Sequence, residues 1–443
     1  MSTSLPQVVL GLLAGISLII LLTTRLKVHA FFALVLASFL VGLVVQIPVL
    51  QILNLVKEGF GNIMKSLGLV IVLGTTLGVL LEHTGSTKVM ASAILKRVGD
   101  KSASLAMSLT GFIVGLPIFC DSGYIVLSGL NKSIAARTGI SVIIMSVSLA
   151  TGLYSVHCLI PPHPGAAAAA GTIGVGYGKL IIIGIIVALP AMIAGHIWAR
   201  YAGSKLPVVK AEETKEDANT ADHKHPSTLK AFLPVIVPIL LIALHSFVQE
   251  KEPAEWWKQL ILILGEPAIA LSIGVVFAFA AGSNWKSEKT GKLLTDAAEK
   301  AGGILVIIGA GGAFGAVLAA TDIGRHFGEA VSLGSLGILF PFLLTSVLKT
   351  AQGSSTVAII TASSVVLPLL PALNLDSENG RLLAVLSMGA GSMMISHAND
   401  AYFWVIAKFS GLEMKTMLRV YSVATIWMGI VSLLCVYLVS IFI

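Results

Sequence analysis

The sequence predicts an all-α polytopic membrane protein, and three observations carry that expectation. Hydrophobic residues make up 56% of the 443-residue chain and charged residues only 12%. A soluble domain carries about a quarter charged residues, so a chain this poor in charge could not cover a water-facing surface. The apolar residues fall in long runs, among them Val8–Thr24, Ala30–Ile47, Leu180–Ala199, Ala231–Val248 and Val420–Ile443. A bilayer-spanning helix needs about 20 such residues. Finally, several runs are interrupted by polar or helix-breaking motifs that recur in the same order in the two halves of the chain.

Counting whole and interrupted runs together predicts about 10–14 transmembrane segments. The first run has no basic stretch before it and no small-residue cleavage pattern after it, so it reads as an uncleaved first helix. The net charge is +7, from 29 Lys and Arg against 22 Asp and Glu. The cations sit in short gaps between apolar runs, as at Lys96, Arg97, Lys101, Lys132, Arg137 and Lys415. That placement fits loops held on the cytoplasmic side and argues against nucleic acid as a partner. Cys120, Cys158 and Cys435 lie in apolar sequence without metal-ligand or CxxC spacing, so no disulfide framework is implied.

The only long polar stretch is 203–230, which reads as a solvated linker between an N-terminal half, 1–202, and a C-terminal half, 231–443. The halves resemble each other. Gly74-Thr-Thr-Leu-Gly78 matches Gly311-Gly-Ala-Phe-Gly315 at an offset of 237 residues, Gly115 matches Gly353 at 238, and His157 matches His397 at 240. Transporters are often built from such repeats, with the site at the repeat interface.

Each half carries two breaks. The first half has Gly115–Gly123 (GLPIFCDSG) and His157–Gly165 (HCLIPPHPG); the second has Lys349–Thr356 (KTAQGSST) and Ser396–Asp400 (SHAND). The first break of each half lies in a run too long for one span and suits a re-entrant helical hairpin. The second suits a helix unwound in its middle. Unpaired backbone groups cannot face lipid, so broken backbone at membrane depth must line an enclosed or wet cavity. Four breaks in two pairs therefore predict one shared polar cavity, and half-helix N-termini pointing into it would favour an anion.

The candidate residues are those at the breaks. Asp121, followed by Ser122 and Gly123, is an ionisable residue inside a span, expected to carry a proton; the plainer reading makes it the cap of a helix starting at Ser122. His157 and His163 flank a segment with Pro161, Pro162 and Pro164, which no continuous helix survives. Either histidine could bind a carboxylate, shuttle a proton or simply hold a turn. Lys349 with Gly353, Ser354, Ser355 and Thr356 offers a cation and hydroxyls beside small residues, against a reading as a close helix contact. Ser396, His397, Asn399 and Asp400 form the densest polar cluster inside an apolar run, with Asn399 or Asp400 also suited to cap the next helix. Glu82, His83 and Glu266 read as segment ends. No HExxH, G-x-S-x-G or P-loop pattern is present, so neither an enzyme nor an ATP-driven pump is expected.

At these motifs the chain resembles the gluconate:proton symporter family of bacterial permeases, within the broader ion transporter superfamily. The resemblance rests on Pro161–Ala166 (PPHPGA), Gly353–Ala358 (GSSTVA) and Ser396–Trp404 (SHANDAYFW), supported by Ile307–Leu318. It implies inverted repeats with re-entrant hairpins and broken helices, a dimerising scaffold with an elevator-like transport domain, and a multi-pass homodimer in the lipids of the bacterial inner membrane. It also implies uptake of gluconate or a related hydroxy acid. Family motifs map onto Asp121, His157, Pro161–Gly165, Gly353–Thr356, His397, Asn399 and Asp400. Members usually carry glutamate where this chain has Asp121, which leaves substrate size open. D-serine and glycerate stand as alternative ligands.

The expected mechanism needs no bound cofactor. Asp121 or Asp400 takes the coupling proton, with sodium as the other candidate ion. Lys349 and the half-helix N-termini hold the carboxylate, and Ser354, Ser355, Thr356 and Asn399 meet hydroxyls. A passive channel and a lipid-acting membrane enzyme are the competing classes.

Overall fold

The computed structural model describes residues 5–209, 226–245, 247–248, 255–282, 285, 287–321, 333–398 and 400–443. Among them every regular element is helical. The first half comprises α1 (Leu5–Ile20), α2 (Ala30–Val44), α3 (Val49–His83), α4 (Ser86–Val98), α5 (Ala103–Gly115), α6 (Cys120–Thr138), α7 (Val142–Leu159), α8 (Pro164–Ile173) and α9 (Tyr177–Ser204). The second comprises α10 (Thr228–His245), α11 (Trp256–Leu264), α12 (Pro267–Ala281), α13 (Ser287–Ala319), α14 (Leu339–Gln352), α15 (Ser355–Val366), α16 (Glu378–Met393), α17 (Ala401–Ser410) and α18 (Met414–Phe442). Most of the 203–230 linker lies outside the described residues.

Seven of the described helices are long and apolar enough to cross a membrane, counting α7 with α8 as one. The pair α11 and α12, bent by 71°, would make an eighth. This is fewer than the 10–14 segments expected, and the difference has a physical cause. The motifs that interrupt the apolar runs cut them into short arms. At 13 residues, α5 reaches only about 20 Å, short of the roughly 30 Å hydrocarbon layer.

The order of elements repeats across the linker. A long helix (α3, α13) is followed by a hairpin (α5–α6, α14–α15), a broken pair (α7–α8, α16–α17) and a long helix (α9, α18). The first long helices pack on each other along their length, and so do α9 and α18. Within each half the first hairpin arm packs on the first arm of the broken pair, α5 on α7 and α14 on α16. Between halves the contacts cross: α8 packs on α15, and α17 on α6. Each hairpin therefore touches the broken helix of the opposite half.

Small residues let these helices meet, as they do where lipid tails remove the usual apolar driving force. A methyl group built on Gly152 of α7 would run into the Ser108 carbonyl of α5, and one on Gly111 of α5 into the Leu149 carbonyl of α7. Ser108 Oγ also donates to the Ser148 carbonyl across the same contact, at 2.9 Å. Replacing Gly152 with alanine is expected to push the two backbones apart and destabilise the fold by about 1–3 kcal/mol, the usual range for an overpacked core. The thermal midpoint of the purified protein checks this. Gly129→Ala on α6, where nothing lies within 4 Å, is the matched control and should lose nothing.

Candidate functional site

Backbone rules place the site. Pro161, Pro162 and Pro164 deny the chain a continuous helix, so α7 ends at Leu159 and α8 starts afresh with Pro164 in its first turn. Gly353 ends α14 in the left-handed region at φ 81°, which a side chain would resist, and turns the chain into α15. Ser354 caps α15, accepting from Val357 N at 3.3 Å. Asp400 caps α17, its Oδ1 accepting from Tyr402 N at 3.0 Å. The start of α6, after Pro117 and Phe119, has no side-chain cap, and neither has the start of α8.

These four starts converge. A cavity of about 400 Å³ is lined by Phe119, Cys120, Asp121 and Ser122 from α6, Ser354 to Val357 from α15, Asp400 to Tyr402 from α17 and Pro164 from α8. The α6, α15 and α17 sets each contain a first turn, where backbone N–H groups lack intrahelical partners and the helix dipole is positive, while α8 brings only its positive dipole end, since Pro164 has no N–H. Tyr154 and His157 of α7, Gln352 of α14, and Ile304 and Ile307 of α13 complete the wall. The close approach of α8 to α15 depends on Gly165, whose missing side chain would sit 3.3 Å from the Thr356 Cα.

The polar atoms fall into two groups. One is fully engaged. Lys349, 0% exposed, donates to Asp400 Oδ2 at 2.7 Å and to the Gly353 carbonyl at 2.6 Å. Ser396 Oγ donates to the same Asp400 oxygen. The other group is unengaged. Among the described residues Asp121 Oδ1, His157 Nδ1 and both amide atoms of Gln352 are buried without a hydrogen-bond partner. Polar groups hidden from water without partners are costly, about 1–3 kcal/mol each, and they gather here around one space.

Of the residues expected to bind substrate or a proton, Asp121, Ser122, His157, Gly353, Ser354, Ser355, Thr356 and Asp400 line this cavity. The others stand elsewhere. Gly123 packs against Leu153. Pro162 lines a separate apolar cleft with Val70, Leu77 and Pro238. His163 donates from Nε2 to the Gly115 carbonyl at 2.7 Å, and His397 from Nε2 to the Thr350 carbonyl at 3.1 Å, so each ties a broken pair to the hairpin of its own half. Asn399 lies outside the described residues. Lys349 departs from its expected role. It meets Asp400 instead of facing the cavity, because a buried charge needs a buried counter-charge. Asp400, expected to be free for a proton, is occupied by that lysine. Asp121 is not a cap, since α6 begins one residue earlier at Cys120. Glu266 does cap its helix, accepting from Ile269 N at 3.1 Å.

Sequence reasoning missed Gln352, Tyr154, Tyr402 and the isoleucines of α13. Gln352 had a signal, since it sits inside the polar run Lys349–Thr356, next to the turning glycine. Tyr154 and Tyr402 had none, because a tyrosine in an apolar run reads as core. They stack at 5.7 Å between centroids, and both line the cavity.

Helices broken in two pairs around one shared cavity with ionisable, hydroxyl and amide side chains in its wall, inside an otherwise apolar bundle, define a multi-pass membrane permease. The chain belongs to the GntP family of permeases, whose pattern it matches across residues 7–442. Over 435 residues it is 33% identical to a gluconate permease of Pseudomonas aeruginosa, covering 95% of each chain. It is 31% identical to the D-serine transporter DsdX of Escherichia coli, covering 98% of each. With the Escherichia coli L-idonate transporter of the Gnt-II system it shares 28% identity, covering 98% of this chain and 99% of that one. Among solved structures, its fold is similar to that of the YdaH transporter of Alcanivorax borkumensis, with a TM-score of 0.62 at 16% identity over 86% and 87% of the two chains. MtrF of Neisseria gonorrhoeae gives a TM-score of 0.66 at 15% identity over 87% and 83%. As a helical multi-pass permease it is a protein of the inner, plasma membrane.

Proposed function

We propose that this permease imports gluconate or a closely related hydroxy acid together with a proton. The observation that carries this reading is the convergence of four helix N-termini on one cavity that holds the Asp121 carboxylate, whose Oδ1 is buried without a hydrogen-bond partner. Helix N-termini attract an anion. The adjacent Lys349–Asp400 pair is neutral as a unit, so the dipoles, and not the lysine, hold the substrate carboxylate. Gln352, His157, Ser355 and Thr356 supply donors and acceptors for the hydroxyls. Asp121 takes the proton, because a second negative charge beside a bound anion is disfavoured unless it is neutralised. Alternating exposure of the cavity follows an elevator-like movement of the hairpins and broken pairs against the long helices; the crossed contacts of α6 with α17 and α8 with α15, which bind those parts to each other, support this.

A second reading has its own support. An unpartnered carboxylate also suits an ammonium group, and one relative is named a D-serine transporter. Purified protein in liposomes, offered labelled gluconate, glycerate and D-serine under an imposed pH or sodium gradient, separates the readings. Gluconate accumulation with an inward proton gradient is the expected result. Accumulation of D-serine alone, or with sodium alone, would overturn the proposal. Replacing Gln352 with leucine should raise the gluconate KM by about tenfold, the worth of one or two hydrogen bonds, with a smaller effect on glycerate, which has fewer hydroxyls to place.

A further inference from the structure

A basic groove lies away from the cavity. One face of α4 carries Lys88, Ser92, Lys96 and Arg97, all exposed, while Met90, Ala91, Ile94 and Leu95 bury the opposite face. Lys88, Ser92 and Lys96 follow the four-residue spacing that aligns side chains on a helix. Together with Thr228 at the start of α10 they line an open groove of about 520 Å³. Three like charges within about two and a half turns repel one another, and among the described residues no acidic side chain lines the groove to offset them. The nearest acid on this segment, Asp100, is held by Arg137 at 2.6 Å in the adjoining cleft. The arrangement adds no stability by itself.

The far wall of the groove indicates which anion would suit it. Thr228 opens α10, an apolar span. Its outward stripe, Leu229, Ile236, Leu240 and Leu244, is exposed at spacings of seven, four and four residues. An anchored molecule with a phosphate at the groove would lay its hydrocarbon along that stripe. A soluble phosphate would use only the charges. We propose that the α4–α10 groove binds the headgroup of an anionic phospholipid, with Lys88, Lys96 and Arg97 on the phosphate and the acyl chains against α10. Since α4 also packs on α5 and α6, the lipid braces the hairpin that carries Asp121.

Native mass spectrometry and thermal denaturation of the full-length protein, with phosphatidylglycerol, phosphatidylcholine or inorganic phosphate added, test this. Phosphatidylglycerol should be retained and should raise the midpoint, while the other two do neither at equal ionic strength. The Lys88→Gln, Lys96→Gln, Arg97→Gln variant should retain phosphatidylglycerol about 100-fold more weakly, at about fivefold per charge. A variant losing three charges elsewhere, at Lys57, Lys65 and Lys415, should behave as the parent. Equal retention of phosphatidylglycerol and phosphatidylcholine, equal loss in both variants, or an equal shift by inorganic phosphate would each overturn the proposal. None of these readouts depends on which acid the cavity carries.

Discussion

Replacing Asp121 with asparagine is expected to abolish uphill uptake while leaving exchange intact. The side chain keeps its shape and its place in the cavity wall but loses its proton. The substrate then enters as a bare anion, against an inside-negative potential that opposes it by about 2.3 kcal/mol per 100 mV. That corresponds to roughly a 50-fold lower accumulation ratio at 100 mV, multiplied by about tenfold for each pH unit of gradient that no longer drives uptake. Counterflow, in which labelled substrate outside exchanges for unlabelled substrate inside, moves no net charge and should persist. Proteoliposomes with a fixed pH gradient and potential check both halves of the expectation. Undiminished accumulation by the variant would remove Asp121 from the coupling step.

Breaking the Lys349–Asp400 pair should have the largest effect on stability. Both groups are buried, with side-chain exposures of 0% and 8%. Removing the lysine strands a carboxylate that also caps α17 and accepts from Ser396. Losing one member of a buried pair typically costs about 3–5 kcal/mol. Lys349→Met should therefore lower the thermal midpoint sharply and reduce the folded yield in detergent. Combining it with Asp400→Asn, which keeps a capping oxygen but drops the charge, should restore much of the loss. If the double variant is no better than the single one, the pair is not the stabilising unit described here. Transport by the double variant then reads whether the pair also serves the substrate.

Much of the architecture was legible in the sequence because the physics behind it is local. Glycines and prolines at Gly115–Gly123, Pro161–Gly165 and Gly353 break helices wherever they occur, so the positions of the hairpins and broken pairs could be read directly. Asp121, Ser354 and Thr356 reach the cavity because they sit in the first turns that those breaks create. The number of full spans was harder to read, since a run cut by a break still scores as apolar on both sides. What stayed hidden was pairing across space. Lys349 and Asp400 are 51 residues apart, and nothing in either motif says that they neutralise each other. The motif leaves His163 open between binding a ligand and holding a turn, and its carbonyl partner, Gly115, is nearly as distant in sequence, as is Thr350 from His397. Gln352 was overlooked because an amide among hydroxyls is inconspicuous until its neighbours leave it unsatisfied.

The neutrality of the Lys349–Asp400 unit bears on energy coupling. With the lysine cancelled, the cavity wall carries one negative charge when empty, on Asp121. Loaded with one anion and one proton it again carries one, now on the substrate. Under the proposed one-proton symport the electric field would therefore weigh the loaded and empty states alike, and acidity outside, not voltage, would set how steeply the acid can be concentrated. A valinomycin-imposed potential without a pH difference should leave the internal and external substrate levels equal.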